Sequence, residues 1–346
     1  MKATKLTSGH LLGIIWDDRF KEISFSHPMI RDVSKARISR FKEMVKDMEN
    51  VIFISPDYAT FEDLLEVHDM ELLLKIKEAS SLPHIGFLDS GDTVHYPGIL
   101  NDVLLVAGST LTAISMSRFL NIQYIPLGGF HHATRSRSMG FCPVNDVNLA
   151  IKRLLDHGER VAVVDVDAHH ANGVEEMFYD KPVLKLNIFA YNGSFFPGTG
   201  DPSRRGEGEG FGLNYNVALP LLAGDDAFDE ALRMLKVVED FRPTYLLGIA
   251  GVDGHKDDGL KSLNLTSNSY NNLGLRLYAM SRRLGFKIIS YGGGGYGPGS
   301  ALSMFSFVKG LTGEKVNEEI STRDQEKKAK VKKLVDSFLE GLSSGL

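Results

Sequence analysis

Seven short apolar runs, each closed by a polar or glycine-rich stretch and followed by residues at helical spacing, restrict this chain more than any other feature of its sequence. They are Leu11–Trp16, Val51–Ser55, Tyr124–Leu127, Val161–Asp165, Val183–Ile188, Tyr245–Ala250 and Lys287–Tyr291. Runs apolar at nearly every position suit strands covered on both faces, and a rhythm of strand, loop and helix builds a parallel α/β sheet between helices. The periodicity predicts helices over about 34–49, 60–78, 98–119, 146–156, 226–239, 268–284 and 299–310. A further amphipathic helix is expected at about 323–342, where Leu334, Phe338, Leu339 and Leu342 line one side and a lysine-rich face meets solvent.

The chain has 346 residues, which admits one large α/β domain or two smaller ones. No Pro/Ser-rich linker or change of composition divides it, so a single catalytic domain over 1–346 is expected, with the Gly-rich stretch 198–212 as a surface loop. The net charge of -5 and pI near 6.1 give no general attraction to nucleic acid or to an anionic membrane. The uncharged stretch Val103 to Ser117 carries Gly108, Ser109, Thr110 and Thr112, falls short of the roughly 20 apolar residues of a span, and reads as a buried helix. A single cysteine, Cys142, excludes an internal disulfide, and the N-terminus lacks a secretory pattern, so a reducing, cytoplasmic setting is expected.

Reactive residues collect directly after four of the runs: Gly128-Gly129-Phe130-His131-His132, Asp165-Val166-Asp167-Ala168-His169-His170, Gly251-Val252-Asp253-Gly254-His255, and Gly292 through Tyr296. In open parallel sheets the carboxyl ends of the strands share one edge, where ligands bind, so these distant segments can converge. In an extended chain Asp165, Asp167 and His169 fall on one side, away from Val166 and Ala168. Asp167 and His169 then offer two ligands to a catalytic zinc and Asp253 is the best third; the bland alternative is polar loop residues at strand ends. His131 and His132 are proton carriers, metal ligands or hydrogen-bonded loop residues. The four glycines before Tyr296 allow close backbone approach and free the phenol to reach an oxyanion. A phosphate loop is a poor alternative, because no Lys-Ser/Thr follows.

Through GDTVHYPGI, GGFHHATRSRSMGFCPVNDVNLA, DVDAHHANGVEEMFY, FFPGTGD, GVDGHKDDGL and GGGGY, in that order, the sequence resembles the histone deacetylase superfamily, which includes acetoin-utilisation proteins and acetylpolyamine amidohydrolases. The resemblance implies a three-layer α/β/α arginase/deacetylase fold with a mainly parallel eight-stranded sheet. It implies zinc on Asp167, His169 and Asp253, a proton-transfer pair in His131 and His132, and an oxyanion donor in Tyr296. Asp165 would face His131 and Asn172 would face His132; a carboxylate favours imidazolium more than an amide does, which makes His132 the expected general base. Asn172 follows the class II pattern.

Phe141, Phe196 and Leu260 match walls of the family's acyl-lysine tunnel, and Asp92 matches a rim residue that grips substrate backbone. Cys142 beside Phe141 reads as a packed thiol. Potassium is implied near the zinc through Asp165, Asp167, His169 and Asn187, the last standing where serine is common. Ala171 replaces a usual glycine, and the stretch after His27-Pro28-Met29 is longer than the family's spacing before Arg37, so Arg37 is not carried over as an internal-channel residue. The implied substrate is acetylated lysine in protein or peptide, or an acetylated small amine; the lack of an obvious long dimerisation insertion favours the former, and oligomeric state stays open. An arginase-like dimetal hydrolase, suggested by the DAH at 167–169, and a non-catalytic acyl-lysine binding module are the rivals.

Overall fold

A computed structural model describes residues 11–343. Its strands are β1 (Leu12–Ile15), β2 (Val51–Ile54), β3 (Gly86–Phe87), β4 (Val94–His95), β5 (Ile122–Ile125), β6 (Val161–Asp165), β7 (Leu184–Ala190), β8 (Asn214–Leu219), β9 (Tyr245–Ile249) and β10 (Lys287–Tyr291). The helices are α1 (Pro28–Val45), α2 (Phe61–Leu65), α3 (Met70–Ser81), α4 (Ile99–Met116), α5 (Asp146–Asp156), α6 (Asn172–Met177), α7 (Asp225–Ala231), α8 (Lys236–Phe241), α9 (Ser267–Leu284), α10 (Ser300–Leu311) and α11 (Gln325–Ser343). Among the described residues, eight strands form one sheet in the order β2-β1-β5-β10-β9-β6-β7-β8, and every pairing in it is parallel. β3 and β4 form a separate antiparallel hairpin.

The apolar runs become strands buried on both faces, and alternate residues feed two cores. Ile288, Leu246 and Val164 join Leu273 and Leu277 of α9 and Phe307 of α10 on one face. Ile289, Leu247 and Val163 join Val147, Ile151 and Leu154 of α5 on the other. Each fully buried Leu, Ile or Val contributes roughly 1.5–3 kcal/mol of transfer free energy, so the register that sets this alternation is strongly specified. α4 is long and apolar enough to cross a membrane by length and composition, with a mean hydropathy of 1.5. Here it buries Val103, Val106 and Ala107 in the larger core and accepts a bond from Tyr96 at Asp102.

Several elements depart from the sequence-based expectation. The run at 124–127 pairs over Ile122–Ile125 instead, because Pro126 has no N–H for the ladder. β8 was not among the seven runs: its Asn214 and Asn216 are poor strand formers, and both donate through Nδ2 to Glu175 Oε2, at 2.9 and 2.8 Å. The helix expected at 60–78 breaks between α2 and α3. There His68 turns inward, Nδ1 donating to the Thr134 carbonyl at 3.0 Å and Nε2 accepting the Asn145 N–H at 2.8 Å, while the Asp69 N–H bonds the Arg135 carbonyl. The helix expected at 226–239 is divided by a 3-10 turn at Leu232–Leu235.

The amphipathic C-terminal segment forms α11. It buries Val331, Val335 and Phe338 and packs on α7 and β8, with the Phe338 ring 5.8 Å from that of Tyr215. At the other end of the sheet β2 is an edge strand. Its Ile52 and Phe53 are partly exposed, and the Lys42 ammonium lies 2.9 Å from the Phe53 ring centroid.

Candidate active site

The four strands followed by the reactive segments, β5, β10, β9 and β6, are consecutive neighbours at the centre of the sheet. Their carboxyl ends therefore bring His131-His132, Tyr296, Asp253 and Asp167–His169 to one place. The loop after β5 is shaped by Asp146, the first residue of α5, whose buried carboxylate accepts the Gly129 and Phe130 N–H groups at 3.0 and 2.7 Å. Asn145 caps the same helix through the Asn148 N–H and holds the Ala133 carbonyl with its Nδ2. The two histidines are buried and face each other, Nε2 to Nε2, at 3.0 Å.

Their partners differ. His131 Nδ1 lies 2.6 Å from Asp165 Oδ2, and His132 Nδ1 lies 2.7 Å from Asn172 Oδ1. The Asn172 amide is oriented by its Nδ2, which donates to the His132 carbonyl at 3.1 Å. Its Oδ1 accepts only, so His132 carries its proton on Nδ1 and presents a lone pair at Nε2. Burial works against charge on both rings. At His131 the carboxylates of Asp165 and Asp167 override it and push the ring up to about 9. At His132 burial prevails, reinforced by His131 and His169, and holds the ring well below the usual imidazole range.

Asp167, His169 and Asp253 bring three ligand atoms within 4.8 Å of one another. His169 Nδ1 is 2.8 Å from Asp253 Oδ2 and 3.2 Å from Asp167 Oδ1. The remaining carboxylate oxygens are turned away by backbone donors: Gly294 N–H to Asp167 Oδ2 and Ala168 N–H to Asp253 Oδ1, both at 2.8 Å. The glycines make this approach possible. A Cβ on Gly251 would stand 1.9 Å from Asp167 Oδ2, and one on Gly294 would stand 2.8 Å from an oxygen of each aspartate. Although buried, His169 is drawn up to about 10 by Asp253 and Asp167, so the two carboxylates attract a cation and hold a proton when no metal is bound. One nitrogen and two carboxylates fit a zinc site that leaves room for water and substrate.

Tyr296 is buried over this cluster, its backbone N–H bonded to Asp258 Oδ2 at 2.6 Å. Burial keeps its phenol well above the ordinary tyrosine range, hence a donor. A pocket of about 180 Å³ leads to the group and is lined by Phe141, Phe196, Leu260 and Asp92 as well as the histidines, Asp167, Asp253 and Tyr296. The Phe141 ring meets that of Tyr296 at 5.4 Å, and Phe196 meets His132 at 5.1 Å and His169 at 5.9 Å. Asp92 is half-buried; burial and the neighbouring Asp89 carboxylate raise it to about 6. Cys142 is packed at the pocket wall, and burial keeps it a thiol that donates to the Gly140 carbonyl at 3.3 Å.

At the implied potassium position the residues do not fit the ion. Asn187 Oδ1 accepts the Ala171 N–H at 2.8 Å, which directs its Nδ2 donor to the Asp165 carbonyl at 3.2 Å. The Asn187 side chain therefore offers an N–H donor, and not an oxygen ligand, toward the Asp165 carbonyl.

Residues 27–309 match the histone deacetylase domain family, a span that runs from the start of α1 into α10 and contains His131, His132, Asp167, His169, Asp253 and Tyr296. The chain belongs to the histone deacetylase family.

This histone deacetylase-family chain is 34% identical over 257 residues to acetoin utilization protein AcuC of Bacillus subtilis (strain 168), covering 70% of the chain and 66% of that protein. It thus spans just under two thirds of that relative's length. It is 32% identical over 286 residues to a protein named Probable deacetylase from Archaeoglobus fulgidus, covering 78% of the chain and 77% of that protein. The crystal structure of the HDA15 HD domain superposes with a TM-score of 0.82 at 22% identity, covering 97% of this chain and 98% of that one, a likeness of fold.

Some residues of this site carry no signal in the sequence. Arg37 was set aside on spacing, yet it is buried in the pocket wall, donates from Nη2 to the Gly293 carbonyl at 2.6 Å and lies 5.8 Å from the Tyr296 ring. The extra residues before it belong to α1, which begins at Pro28, and the helix carries Arg37 inward whatever the loop length. Phe195 stacks on His169 at 5.0 Å, and only its neighbour Phe196 was singled out. His170 points away from the metal group to Thr199 and Glu175, at 2.8 and 3.1 Å.

Proposed function

We propose that this chain is a zinc-dependent deacetylase that hydrolyses an acetyl-lysine-type amide to acetate and free amine. The observation carrying the proposal is the convergence of Asp167, His169 and Asp253 at the foot of an aromatic-walled pocket, beneath one phenol and two imidazoles. Asp167, His169 and Asp253 would hold the zinc. Bound there, zinc supplies Lewis-acid polarisation of the carbonyl and a lowered pKa for water.

The remaining chemistry is assigned to the chain's own groups. His132 Nε2 accepts a proton from the attacking water, its Nδ1–H kept in place by Asn172. His131, held as imidazolium by Asp165, keeps its Nδ1 proton, gives its Nε2 proton to the leaving amine, and is recharged across the Nε2–Nε2 contact by the proton that His132 took from water. The Tyr296 hydroxyl donates to the developing oxyanion. Phe141, Phe196 and Leu260 strip water from an aliphatic stem, and Asp92 at the rim accepts a substrate N–H.

The test is turnover by the zinc-loaded protein on acetyl-lysine peptides and acetylpolyamines assayed side by side. Preference for peptides is expected, with two named failures: no cleavage of either class sinks the activity, and polyamine preference moves the substrate to the small-amine class.

A further inference from the structure

Beyond residue 309 the chain leaves the family-matched region and then returns to the catalytic edge. After α10 it crosses the start of α9 as a strap. The Val316 N–H donates to Asn271 Oδ1, the Glu318 N–H to Asn268 Oδ1, Asn268 Nδ2 to the Glu319 carbonyl, and the Thr322 N–H to Asp225 Oδ2, at 2.6–3.1 Å. From this strap the Glu319 side chain reaches the loop that follows Asp253. Its Oε2 accepts His255 Nε2–H at 2.9 Å and the Ser267 N–H at 2.8 Å, and its Oε1 pairs with the Lys256 ammonium.

The His255 tautomer is fixed. Its Nδ1 accepts the Asp257 N–H at 3.1 Å, so the proton is on Nε2 and must find an acceptor in a place where the residue is 1% exposed. The ring is wedged against the loop carrying Tyr296: a Cβ on Gly299 would lie 2.2 Å from His255 Cε1, and one on Gly297 would lie 2.4 Å from the Asp257 carbonyl oxygen. Three residues past His255, Asp258 holds the Tyr296 N–H. On the other side, the Val252 N–H bonds the Gly294 carbonyl at 2.8 Å. Residues 252–258 thus join the ligand Asp253 to the backbone of Tyr296, and the middle of that bridge is gripped from behind by a carboxylate.

We infer that Glu319 is a positioning residue, contributed from outside the family-matched region, which acts through His255 to set the register between Asp253 and Tyr296. The inference rests on the proposed deacetylase reading for its kinetic consequence, and its structural consequence is independent of that reading. The same three residues, His255, Asp257 and Glu319, have ligand atoms close enough for a metal. Lys256 already supplies the cation to Glu319, and the Asp257 N–H already occupies His255 Nδ1, so the group is a clasp.

The test compares Glu319→Ala with Glu319→Gln, which keeps one oxygen acceptor for His255, by kinetics and by amide hydrogen exchange. Expected for Glu319→Ala are a kcat reduced about 10- to 100-fold with KM within about threefold, since a displacement near 1 Å carries that penalty. Bound zinc stays at one per chain, and exchange in 253–258 and 293–297 quickens about tenfold while 129–134 stays protected. Glu319→Gln recovers most of both losses. Unchanged exchange in the two loops, or an increase spread evenly over the chain, overturns the inference. If the alanine variant does not fold, the glutamine variant decides: tighter loops than a Glu319→Leu control support the clasp, and equal ones refute it. Should wild-type protein cleave no acyl-amide at all, the proposed function fails while the exchange pattern still judges Glu319.

Discussion

Asp167, His169 and Asp253 on one hand, and His255, Asp257 and Glu319 on the other, are alike in composition: each brings three possible ligand atoms within 4.8 Å. They differ in what else competes for those atoms. In the first group backbone N–H groups take Asp167 Oδ2 and Asp253 Oδ1, while Asp253 Oδ2, and Asp167 Oδ1 although it also accepts the His169 N–H, turn toward His169 Nδ1, buried at the foot of a pocket. In the second, Lys256 neutralises Glu319, a backbone N–H takes the histidine, and Asp257 is exposed. Proximity of acids and a histidine is therefore a weak criterion. An uncompensated charge aimed at one buried point is a strong one.

The contrast breaks most plainly through metal content. Asp253→Ala is expected to lose bound zinc and at least about a thousand-fold in turnover. Asp257→Asn should retain one zinc per chain with turnover inside about threefold of wild type. Two metals per wild-type chain by elemental analysis would erase the distinction and restore the dimetal alternative.

A second break lies above the first group. Tyr296→Phe should lower kcat by about 10²–10³ with KM nearly unchanged, because the donor is needed only as oxyanion charge develops. Equal loss in binding would make the phenol a substrate clamp.

His68 sharpens the comparison as a buried histidine whose two ring nitrogens pair with backbone groups. Burial holds it down to about 4 from 6.5, with a carbonyl and an N–H as its partners. A folded pKa below the unfolded one means the native state binds fewer protons between pH 6.5 and 4, so its stability falls as pH drops through that window. About 3 kcal/mol is at stake, and the denaturation free-energy gap between wild type and His68→Asn should shrink by that amount on acidification. A gap that stays constant with pH would mean that the His68 ring titrates alike in the folded and unfolded chain.

The smallest effect concerns the amide that stands in the implied potassium position. Exchanging potassium for sodium or choline should alter turnover less than about twofold, whereas Asn187→Ser should acquire potassium dependence, read by melting temperature with and without the ion. Strong potassium activation of the wild type would show that Asn187 turns its oxygen inward.

The central strands and the loops after them were readable because their chemistry is local: β-branched runs name the strands, and rare residue types crowd immediately behind them. The order of β5, β10, β9 and β6 across the sheet was not legible in any segment, because it is set by tertiary packing between strands far apart in the chain. β8 escaped because its asparagines serve Glu175, a partner about forty residues away in sequence, and strand propensity carries no trace of such a bond. Glu319 escaped for a related reason: it reaches the site from a strap remote in sequence, and a glutamate there looks like solvent-facing charge until tertiary packing turns it inward, whereas Arg37 was obscured by a spacing difference that α1 absorbs.

The edge strand β2 has a bearing on how the protein behaves in a crowded solution. An outermost strand offers a row of amides and carbonyls to any passing chain, and partly bare Ile52 and Phe53 make the offer more attractive. The Lys42 ammonium above Phe53 guards that ribbon, since self-association there would force like charges together and dehydrate them. Lys42→Ala is therefore expected to cloud at concentrations the parent tolerates, with turnover per dissolved molecule intact.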